Sequence, residues 1–481
     1  MKTLNQILKN INFNLIQGST TIPVPHITFD SRHVQPGSLF IAIKGTNTDG
    51  HKFIPNAINA GAKAVICSDC NNINYPDITI VSVNDTAQAL AIAAKNFYDN
   101  PSSKISLVGV TGTNGKTTTA TSLYNFFELY GQNAGLISTI RYLWHNMEMP
   151  ASRTTPDPLT INMLLDKMLK ANCKYAFMEV SSHALVQKRT LGLDFNGAIF
   201  TNITHDHLDY HGSFKNYLDA KKILFDTLPS NAFALVNADD KHAQYILQNT
   251  KARKFTFALK SHAHFKAKIL ERHLFGTLIL LDNTEIWIQL LGTFNVYNIL
   301  AVYATARLLG IDKTTALQII SKLKPIEGRF EVFSGLNRTA IVDYAHTPDA
   351  LEKILTEINA LKKPNQRIIT VFGAGGNRDH KKRPLMGKIA AKLSDMVIIT
   401  SDNPRFEDPI KIINDIKQGI ENSKNVLQIP DRLEAIKTAF AISQPNDIIL
   451  IAGKGHETYQ EINGKKYYFD DRQIVKEIFS N

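Results

Sequence analysis

Short apolar runs of the kind that form buried β-strands alternate along the chain with stretches of helical periodicity. Near the N-terminus, Ser38–Ile43 and Ala64–Cys67 are apolar enough to predict strands, and Ala87–Tyr98 has the spacing of a helix. The next segment, Asp99–Ser103, combines Asn, Pro and Ser and predicts a linker. We therefore expect a first α/β domain over residues 1–100.

The same alternation continues in two further units, expected over residues 101–331 and 332–481. The first begins with the apolar run Ile105–Val110, followed by a glycine-containing loop and a helix that Gly131 is expected to end. Strand–loop–helix alternation predicts a mostly parallel central sheet and a doubly wound, Rossmann-like C-terminal sheet. Further strands are predicted at Tyr175–Val180, Ala198–Thr201, Ala234–Asn237, Ala340–Asp343, Ile368–Phe372, Met396–Thr400, Val426–Ile429 and Ile448–Ile451.

Length and composition agree with three globular domains. The chain has 481 residues, of which 44% are apolar and 20% are charged. Its formal net charge of +11 comes from scattered Lys and Arg, without a basic block or a nucleic-acid-binding motif. We therefore expect polyanionic nucleotide substrates and no nucleic-acid partner. The N-terminus does not resemble a signal peptide, and no run of roughly 18 apolar residues could span a membrane.

The three cysteines are Cys67, Cys70 and Cys173. Cys67 and Cys70 have a spacing used in zinc sites, but no second pair of ligands follows at a suitable distance. We expect reduced thiols, a reducing compartment and a cytoplasmic protein.

A glycine-containing loop, Thr111–Thr117, lies between the predicted strand at Ile105–Val110 and the helix that follows it. Glycines let the main chain fold around phosphate oxygens, and the helix N-terminus attracts an anion. Lys116 would neutralise nucleotide phosphates, and Thr117 would offer a hydroxyl to Mg²⁺. The usual pattern has a glycine where Val110 stands, so the match is incomplete.

Polar peptides also follow other predicted strands, where open α/β sheets bind ligands. Glu179 could hold Mg²⁺ opposite the phosphate loop. The segment Asn202–His211 contains many possible ligands, but its spacing does not show which histidine binds, and Mg²⁺ prefers oxygen. Gly373–Gly376 does not complete a dinucleotide fingerprint, because Arg378 stands where its last glycine should be.

Taken together, these peptides resemble those of the Mur ligase family and, in the phosphate loop, the related folylpolyglutamate synthetases. The resemblance covers essentially the whole chain. It implies that ATP converts a carboxylate into an acyl phosphate, which an amine then attacks. The ATP-binding residues that it implies are Gly112, Thr113, Asn114, Gly115, Lys116, Thr117, Thr118, Asn298, Arg329, Asp343 and His346.

The resemblance also implies Mg²⁺ as cofactor and a set of catalytic residues. His207 matches a histidine that helps to bind a second Mg²⁺. Lys221, within Asp219–Phe225, matches a lysine that is carbamylated and so becomes carboxylate-like. The implied catalytic residues are Lys116, Glu179, His207 and Lys221, and the implied metal ligands are Thr117, Glu179, His207 and carbamylated Lys221.

Three N-terminal peptides, Asp30–Arg32, Pro36–Phe40 and Lys44–Gly50, resemble the uridine-binding domain of the branch that extends UDP-muramoyl-dipeptide. Folylpolyglutamate synthetases lack this domain. The residues implied to bind UDP-muramoyl-dipeptide are Ser31, Thr46, Asn47, Thr48, Thr154, Thr155, Ser181, Gln187 and Arg189. Arg153 stands where the family often has Asn, so that contact is not transferred.

In the C-terminal unit, Asp402–Arg405 has the form typical of family members that add meso-diaminopimelate, whereas lysine-adding relatives lack the Arg. An Arg on a rigid turn can bind a carboxylate through two parallel hydrogen bonds, and diaminopimelate differs from lysine by its second carboxylate. The residues implied to bind diaminopimelate are Arg378, Asp402, Asn403, Pro404, Arg405, Gly453 and Glu457.

The resemblance therefore implies a ligase whose substrates are ATP, UDP-N-acetylmuramoyl-L-alanyl-D-glutamate and meso-diaminopimelate, and we expect it to be a cytoplasmic monomer. Closure of the C-terminal domain would bring the amine to the acyl phosphate. Three alternatives stay open. They are the same ligation with L-lysine, a folylpolyglutamate synthetase, and a P-loop ATPase that binds nucleic acid.

Overall fold

The computed structural model describes residues 1–45, 48–70, 75–421 and 425–480. Within this part of the chain, three larger sheets with flanking helices follow one another in sequence order. The predicted three-domain α/β fold class is confirmed. The boundaries at residues 100/101 and 331/332 stay predictions.

The N-terminal sheet has five strands in the order β2-β7-β6-β5-β4, of which β4 to β7 are parallel neighbours. A separate pair, β1 and β3, lies at its side. The predicted strands at Ser38–Ile43 and Ala64–Cys67 correspond to β5 and β6. The elements are β1 Lys2–Thr3, α1 Leu4–Ile7, β2 Asn14–Gln17, β3 Pro23–Val24, β4 Ile27–Thr28, β5 Leu39–Ile41, α2 Ile54–Asn59, β6 Ala64–Cys67, β7 Thr79–Ser82 and α3 Thr86–Phe97.

The central sheet has eleven strands in the order β11-β10-β9-β12-β8-β13-β14-β15-β16-β17-β18. The seven strands from β9 to β16 in that order are parallel, and antiparallel strands extend both edges. The elements are β8 Ser106–Thr111, α4 Lys116–Leu129, β9 Ala134–Ile137, β10 Arg141–Trp144, β11 Met147–Pro150, α5 Pro158–Lys170, β12 Tyr175–Glu179, α6 Ser182–Val186, β13 Gly197–Phe200, α7 Leu208–His211, α8 Phe214–Asp226, β14 Phe233–Asn237, α9 Ala243–Ile246, β15 Arg253–Ala258, β16 Phe265–His273, β17 Gly276–Leu281, β18 Thr284–Ile288, α10 Thr293–Leu308 and α11 Lys313–Ile320.

The C-terminal sheet has six strands in the order β19-β20-β24-β21-β22-β23, and only β19 is antiparallel to its neighbour. A hairpin of β25 and β26 stands apart from it. The elements are β19 Glu331–Gly335, β20 Arg338–Asp343, α12 Pro348–Leu361, β21 Ile368–Phe372, α13 Lys382–Leu393, β22 Met396–Ile399, α14 Pro409–Lys417, β23 Val426–Gln428, α15 Arg432–Ile442, β24 Ile448–Ala452, β25 Tyr459–Ile462, β26 Lys465–Tyr468 and α16 Asp471–Ser480.

Burial on both faces explains why the central strands are continuous apolar runs. Along β8, Leu107 packs on one face with residues of α5 and α8, whereas Val108 and Val110 pack on the other with residues of α4 and α10. All three side chains are fully buried. A parallel strand covered on both faces needs apolar residues at every position, so the loop after β8 is anchored on a rigid strand.

A second linker, between α11 and β19, connects the central and C-terminal sheets and forms ion pairs with residues of both domains. Glu327 accepts a hydrogen bond from Arg141 on β10 and forms an ion pair of 3.1 Å with Arg472 on α16. A Cβ on the next residue, Gly328, would lie 2.1 Å from the main-chain nitrogen of His456. The linker therefore passes directly against the loop that follows β24.

The expectation of reduced thiols at Cys67 and Cys70 is wrong in this structure, where the two cysteines form a disulfide. Cys67 ends β6, and the turn after it brings the Cα atoms to 5.7 Å, a separation that a disulfide can span. Cys173 is a buried free thiol. Among the described residues, no helix is long and apolar enough to cross a membrane.

Candidate active site

The phosphate loop joins β8 to α4, and two of its glycines have no room for a side chain. A Cβ on Gly112 would lie 1.9 Å from Thr201 Oγ1. Gly115 has a φ of +85°, and a Cβ there would lie 2.5 Å from Asn298 Oδ1. Positive φ and close approach both require glycine. The loop is therefore fixed between β13 and α10, with the N-terminus of α4 open to an anion.

Two lysines are hydrogen-bonded to this loop. Lys116 Nζ donates to the carbonyls of Gly112 and Thr113, both at 2.9 Å. Lys221, on α8, is fully buried, and its Nζ donates to the Gly112 carbonyl at 2.9 Å and lies 4.4 Å above the Tyr217 ring. Burial lowers the pKa of both amines, and the Lys116 charge lowers that of Lys221 further.

The carboxylate of Glu179, at the end of β12, is fully buried and oriented by Thr139. The Thr139 main-chain N–H and hydroxyl donate to its two oxygens at 2.8 and 3.1 Å. Across the cavity, the Thr117 hydroxyl accepts a hydrogen bond of 3.2 Å from Arg329 Nη2. Glu179 and Thr117 thus offer oxygen ligands next to Lys116.

His207 lies in a cluster of aromatic and imidazole rings. Its φ of +53° turns the chain into α7, and its Nε2 is 3.4 Å from an Asp206 carboxylate oxygen. The His183 ring lies 5.0 Å away, between centroids. Burial lowers the pKa of His207, and burial together with His207 and His211 lowers the pKa of His183 to about 4. These imidazoles are therefore neutral at pH 7.

Residues from the C-terminal side cover the phosphate loop. The Arg329 guanidinium lies 4.4 Å from the Tyr344 ring centroid. Asp343 accepts a hydrogen bond of 2.7 Å from the Phe330 N–H, and burial raises its pKa to about 6. His346 Nδ1 donates to the Tyr344 carbonyl at 2.8 Å, and burial lowers its pKa to about 4.

The residues predicted to bind the muramoyl-dipeptide form a connected wall in the central domain. The Thr155 hydroxyl donates to the Glu179 carbonyl at 2.8 Å and lies 3.3 Å from Ser181 Oγ. Arg189 donates to the Thr155 carbonyl at 2.6 Å and, through Nε and Nη2, to Gln187 Oε1 at 3.0 and 2.6 Å. This wall leaves a cationic surface facing the cavity.

The predicted uridine residues lie elsewhere. Ser31 and Thr48 follow β4 and β5 at the carboxyl edge of the N-terminal sheet and do not line the main cavity. Thr46 and Asn47 lie outside the described residues.

Arg405 is positioned on its turn by both main-chain and side-chain contacts. Its main-chain N–H donates to the Glu461 carbonyl at 3.0 Å. Its Nη1 donates to the Gly376 carbonyl at 2.7 Å, and its Nε lies 3.2 Å from Glu461 Oε2. Two of the three guanidinium nitrogens are thus engaged by the protein, while Nη2 is available to a ligand.

A second polar group lies beside this turn. Asn403 Nδ2 donates to Glu457 Oε2 at 2.7 Å, and buried Lys454 donates to both Asn403 Oδ1 and Glu457 Oε2, at 3.1 and 3.2 Å. Burial and the Asp402 charge raise the pKa of Glu457. Burial alone would raise the pKa of Asp402, but Lys454 and Arg432 lower it. The cluster has both signs of charge, as a zwitterionic ligand requires.

One cavity of about 1110 Å³ brings most of the predicted residues together. It spans the phosphate loop, the wall around Arg189 and the Arg405 turn. Among the predicted residues of the described chain, those that do not line it are Gly112, Gln187, Lys221, Pro404, Ser31 and Thr48. The cavity residues that the sequence did not predict include Thr139, Arg153, Asp206, Asp349 and Lys382. Lys454 was also missed.

The three regions of the chain each match a known domain. Residues 23–98 match the Mur ligase family catalytic domain, residues 110–306 the Mur ligase middle domain, and residues 328–455 the Mur ligase glutamate ligase domain.

Similarity also extends over full-length proteins. The chain is 51% identical over 481 residues to the UDP-N-acetylmuramoyl-L-alanyl-D-glutamate–2,6-diaminopimelate ligase of Phocaeicola vulgatus, covering 99% of each chain. It is 40% identical to the protein of the same name from Clostridium tetani, again covering 99% of each. A solved structure of a ligase of that name superposes with a TM-score of 0.70 at 32% identity, covering 100% of this chain and 99% of that one. A folylpolyglutamate synthase from Mycobacterium tuberculosis shares the fold at a TM-score of 0.65 and 16% identity, covering 82% of this chain and 95% of that one. This chain belongs to the Mur ligase family.

Proposed function

We propose that this protein is an ATP-dependent ligase that joins meso-diaminopimelate to the D-glutamate side carboxylate of UDP-N-acetylmuramoyl-L-alanyl-D-glutamate. The reaction belongs to the synthesis of peptidoglycan precursors. The observation that carries the proposal is the cavity described above, because it joins a phosphate loop, a wall containing Arg153 and Arg189, and a turn with an available guanidinium. The full-length relatives named above support the same reaction.

Phosphoryl transfer would take place between the phosphate loop and the Arg189 wall. Lys116 and the N-terminus of α4 stabilise negative charge on the transferring phosphoryl group. Arg329 would bind the phosphates from the opposite side, where its hydrogen bond to the Thr117 hydroxyl positions it. The acceptor carboxylate would bind near Thr155 and Arg189, which line the same cavity. The product of this step is an acyl phosphate, with ADP as the leaving group.

The residues at the phosphate loop suit Mg²⁺. Within the described part of the chain, no group of three or more His, Cys, Asp and Glu side chains forms a metal cage. Mg²⁺ commonly uses one or two carboxylates together with substrate phosphates and water, and therefore needs no such cage. Glu179 and Thr117 would hold it, with His207 at a second position. When bound, Mg²⁺ would offset the negative charge of the phosphates.

Lys221 fits a carbamate better than an ammonium. Its Nζ is buried next to a second lysine that hydrogen-bonds the same carbonyl, so two positive charges would repel each other there. The neutral amine is the form that reacts with CO₂, forming an N–C bond and releasing one proton. The resulting anion would pair with Lys116 and accept hydrogen bonds near the loop.

In the second step, the amine of diaminopimelate attacks the acyl phosphate carbon, and phosphate leaves. Arg405 would bind the distal carboxylate, and Glu457 the ammonium of the same centre. Arg378, Asp402, Asn403 and Gly453 complete this part of the cavity. The covering contacts of Arg329 exclude water, which would otherwise hydrolyse the acyl phosphate. We propose that the protein is cytoplasmic, since its nucleotide substrates are cytoplasmic, and we retain the expectation of a monomer.

The test is an amino-acid panel with the purified protein, ATP, Mg²⁺ and UDP-muramoyl-dipeptide, followed by phosphate release and mass analysis of the product. We expect diaminopimelate to give the tripeptide product and lysine to be much poorer. Preference for lysine would move the assignment to the lysine-adding branch. Ligation of glutamate to folate would support a folylpolyglutamate synthetase, and ATP turnover stimulated by nucleic acid would support a P-loop ATPase.

A further inference from the structure

One carboxylate oxygen of the C-terminal domain is bonded to two loops of the central domain. Asp349 lies in the first turn of α12. Its Oδ2 accepts hydrogen bonds from Asn114 Nδ2 at 2.7 Å and from Thr204 Oγ1 at 3.2 Å. Lys353, one turn along the same helix, donates to the same oxygen at 2.8 Å. The contact thus joins the phosphate loop to the domain that carries Arg405.

The two central-domain donors are themselves held by hydrogen bonds that involve the phosphate loop. The Asn114 N–H donates to Asn202 Oδ1 at 3.0 Å, and its carbonyl accepts from Thr201 Oγ1 at 2.6 Å. The Thr204 N–H donates to Thr113 Oγ1 at 3.0 Å. Any rearrangement of the loop on binding phosphate would therefore move both groups that Asp349 contacts.

On the C-terminal side, a short rigid path leads from Asp349 to the Glu457 cluster. The segment before α12 leaves β20 at Asp343, which pairs in register with Ala452 at the end of β24. The Glu457 loop follows β24 directly. Tyr344, next to Asp343, donates its hydroxyl to Glu457 Oε1 at 3.4 Å. The pairing of β20 with β24 and the contact between Tyr344 and Glu457 therefore connect the segment before α12 to the Glu457 loop.

We propose that Asp349 is a positioning residue that couples nucleotide binding at the phosphate loop to amino-acid binding in the C-terminal domain. The inference rests on the proposed function. With nucleotide bound, the loop presents Asn114 to Asp349, and the C-terminal domain is held in the position that completes the amino-acid site. Hydrogen bonds to a carboxylate are stronger than those between neutral groups, and Lys353 forms an ion pair with the same oxygen of Asp349. By thermodynamic linkage, each ligand must raise the affinity of the other by the same factor.

The coupling is measured by calorimetry on the full chain, with Mg²⁺ and saturating UDP-muramoyl-dipeptide throughout. The Kd of meso-diaminopimelate is determined with and without a non-hydrolysable ATP analogue, and the Kd of the analogue with and without diaminopimelate. We expect each ligand to tighten the other by about 5-fold or more. In Asp349→Ala this factor should fall to about 1, while the Kd of diaminopimelate without nucleotide stays near the wild-type value.

Glu352→Ala is the matched control, because Glu352 is an exposed carboxylate on the same helix that faces the same cavity. It should keep the wild-type coupling factor. Thr204→Val should lose part of the coupling from the opposite side of the contact. Thermal unfolding checks each fold, and Asp349→Leu, which has a similar shape but cannot accept a hydrogen bond, replaces the alanine variant if that variant unfolds.

Two results would overturn the inference: wild-type protein without reciprocal coupling, or Asp349→Ala with the wild-type factor. An equal loss in Glu352→Ala would also overturn it, because the effect would then come from the charge of the helix. A protein that ligates diaminopimelate but shows no coupling contradicts only this inference. A protein that does not ligate it contradicts the proposed function.

Discussion

Replacing Arg405 with Ala should remove most of the preference for diaminopimelate. Two N–H groups of Arg405 are already engaged, by the Gly376 carbonyl and by Glu461, which leaves the Nη2 edge for the distal carboxylate. Loss of a charge-assisted partner typically costs about 2–5 kcal/mol. Because the side chain is 22% exposed, solvent weakens the contact. We therefore expect the lower part of that range, about 2–3 kcal/mol, or roughly a 30- to 150-fold loss in kcat/KM.

The assay follows phosphate release with diaminopimelate and, separately, with lysine at saturating ATP and UDP-muramoyl-dipeptide. Lysine lacks the second carboxylate and should lose far less, and the KM for ATP should hardly change. Arg405→Lys should fall between the wild type and Arg405→Ala, because it keeps a charge but not the planar fork.

Glu461→Gln is the control for the turn, since it weakens the ion pair but keeps Arg405. It should cost only a fewfold. Arg405 has a φ of +53°, and its main chain bonds to the β25–β26 hairpin, so a role in bracing the turn is the competing explanation. Bracing would affect both amino acids alike, and equal losses for lysine and diaminopimelate would refute the specificity argument.

Three further variants test the catalytic centre and its support. Lys116→Ala should lower kcat by at least about 10²–10³-fold, because a charge aimed at the phosphates is lost; a folded variant with near-wild-type turnover would contradict the phosphate-loop assignment. Lys221→Ala should be nearly inactive and partly rescued by formate or acetate, whereas Lys222→Ala, which removes the neighbouring lysine paired with Asp226, should stay active. Full activity of unrescued Lys221→Ala would exclude a role in metal binding. Asp471→Ala should lower the free energy of unfolding in urea by about 3–5 kcal/mol, because fully buried Arg432 loses its ion-pair partner. The exposed pair of Glu434 and Lys437 provides the control, where Glu434→Ala should cost about 0–1 kcal/mol; equal costs would show that Asp471 adds nothing specific.

Local sequence was sufficient to predict features that consist of one strand and the loop that follows it. The phosphate loop is predicted because Ile105–Val110 is apolar throughout, glycines follow and a helix begins at once. The five C-terminal strands were predicted within a few residues for the same reason. The strand β16 of the central sheet was missed, because it is largely exposed and its polar residues obscure the alternation of a strand.

Residues that act through distant partners could not be predicted in this way. Thr139 orients Glu179, 40 residues further along the chain, and Asn114 contacts Asp349 across 235 residues. Nothing in the spacing of these residues indicates that they meet. Lys221 was identified only by resemblance, because its helix pattern alone is that of an exposed lysine. The disulfide between Cys67 and Cys70 was missed because it depends on the turn after β6.

The two ion pairs of Glu327 connect the linker to both neighbouring domains. Arg141 belongs to the central domain and Arg472 to the C-terminal domain. Arg141 lies on a strand of the central sheet, so its bond to the linker can persist while the C-terminal domain turns. Arg472 travels with α16 and keeps a second carboxylate, Asp470, at 2.9 Å. A rotation of the C-terminal domain that separated Arg472 from Glu327 would therefore leave this guanidinium its second partner, Asp470. Water could solvate Glu327 in its place, because that side chain is 52% exposed. If the C-terminal domain closes as the sequence predicts, the electrostatic cost of breaking this one contact would consequently be small.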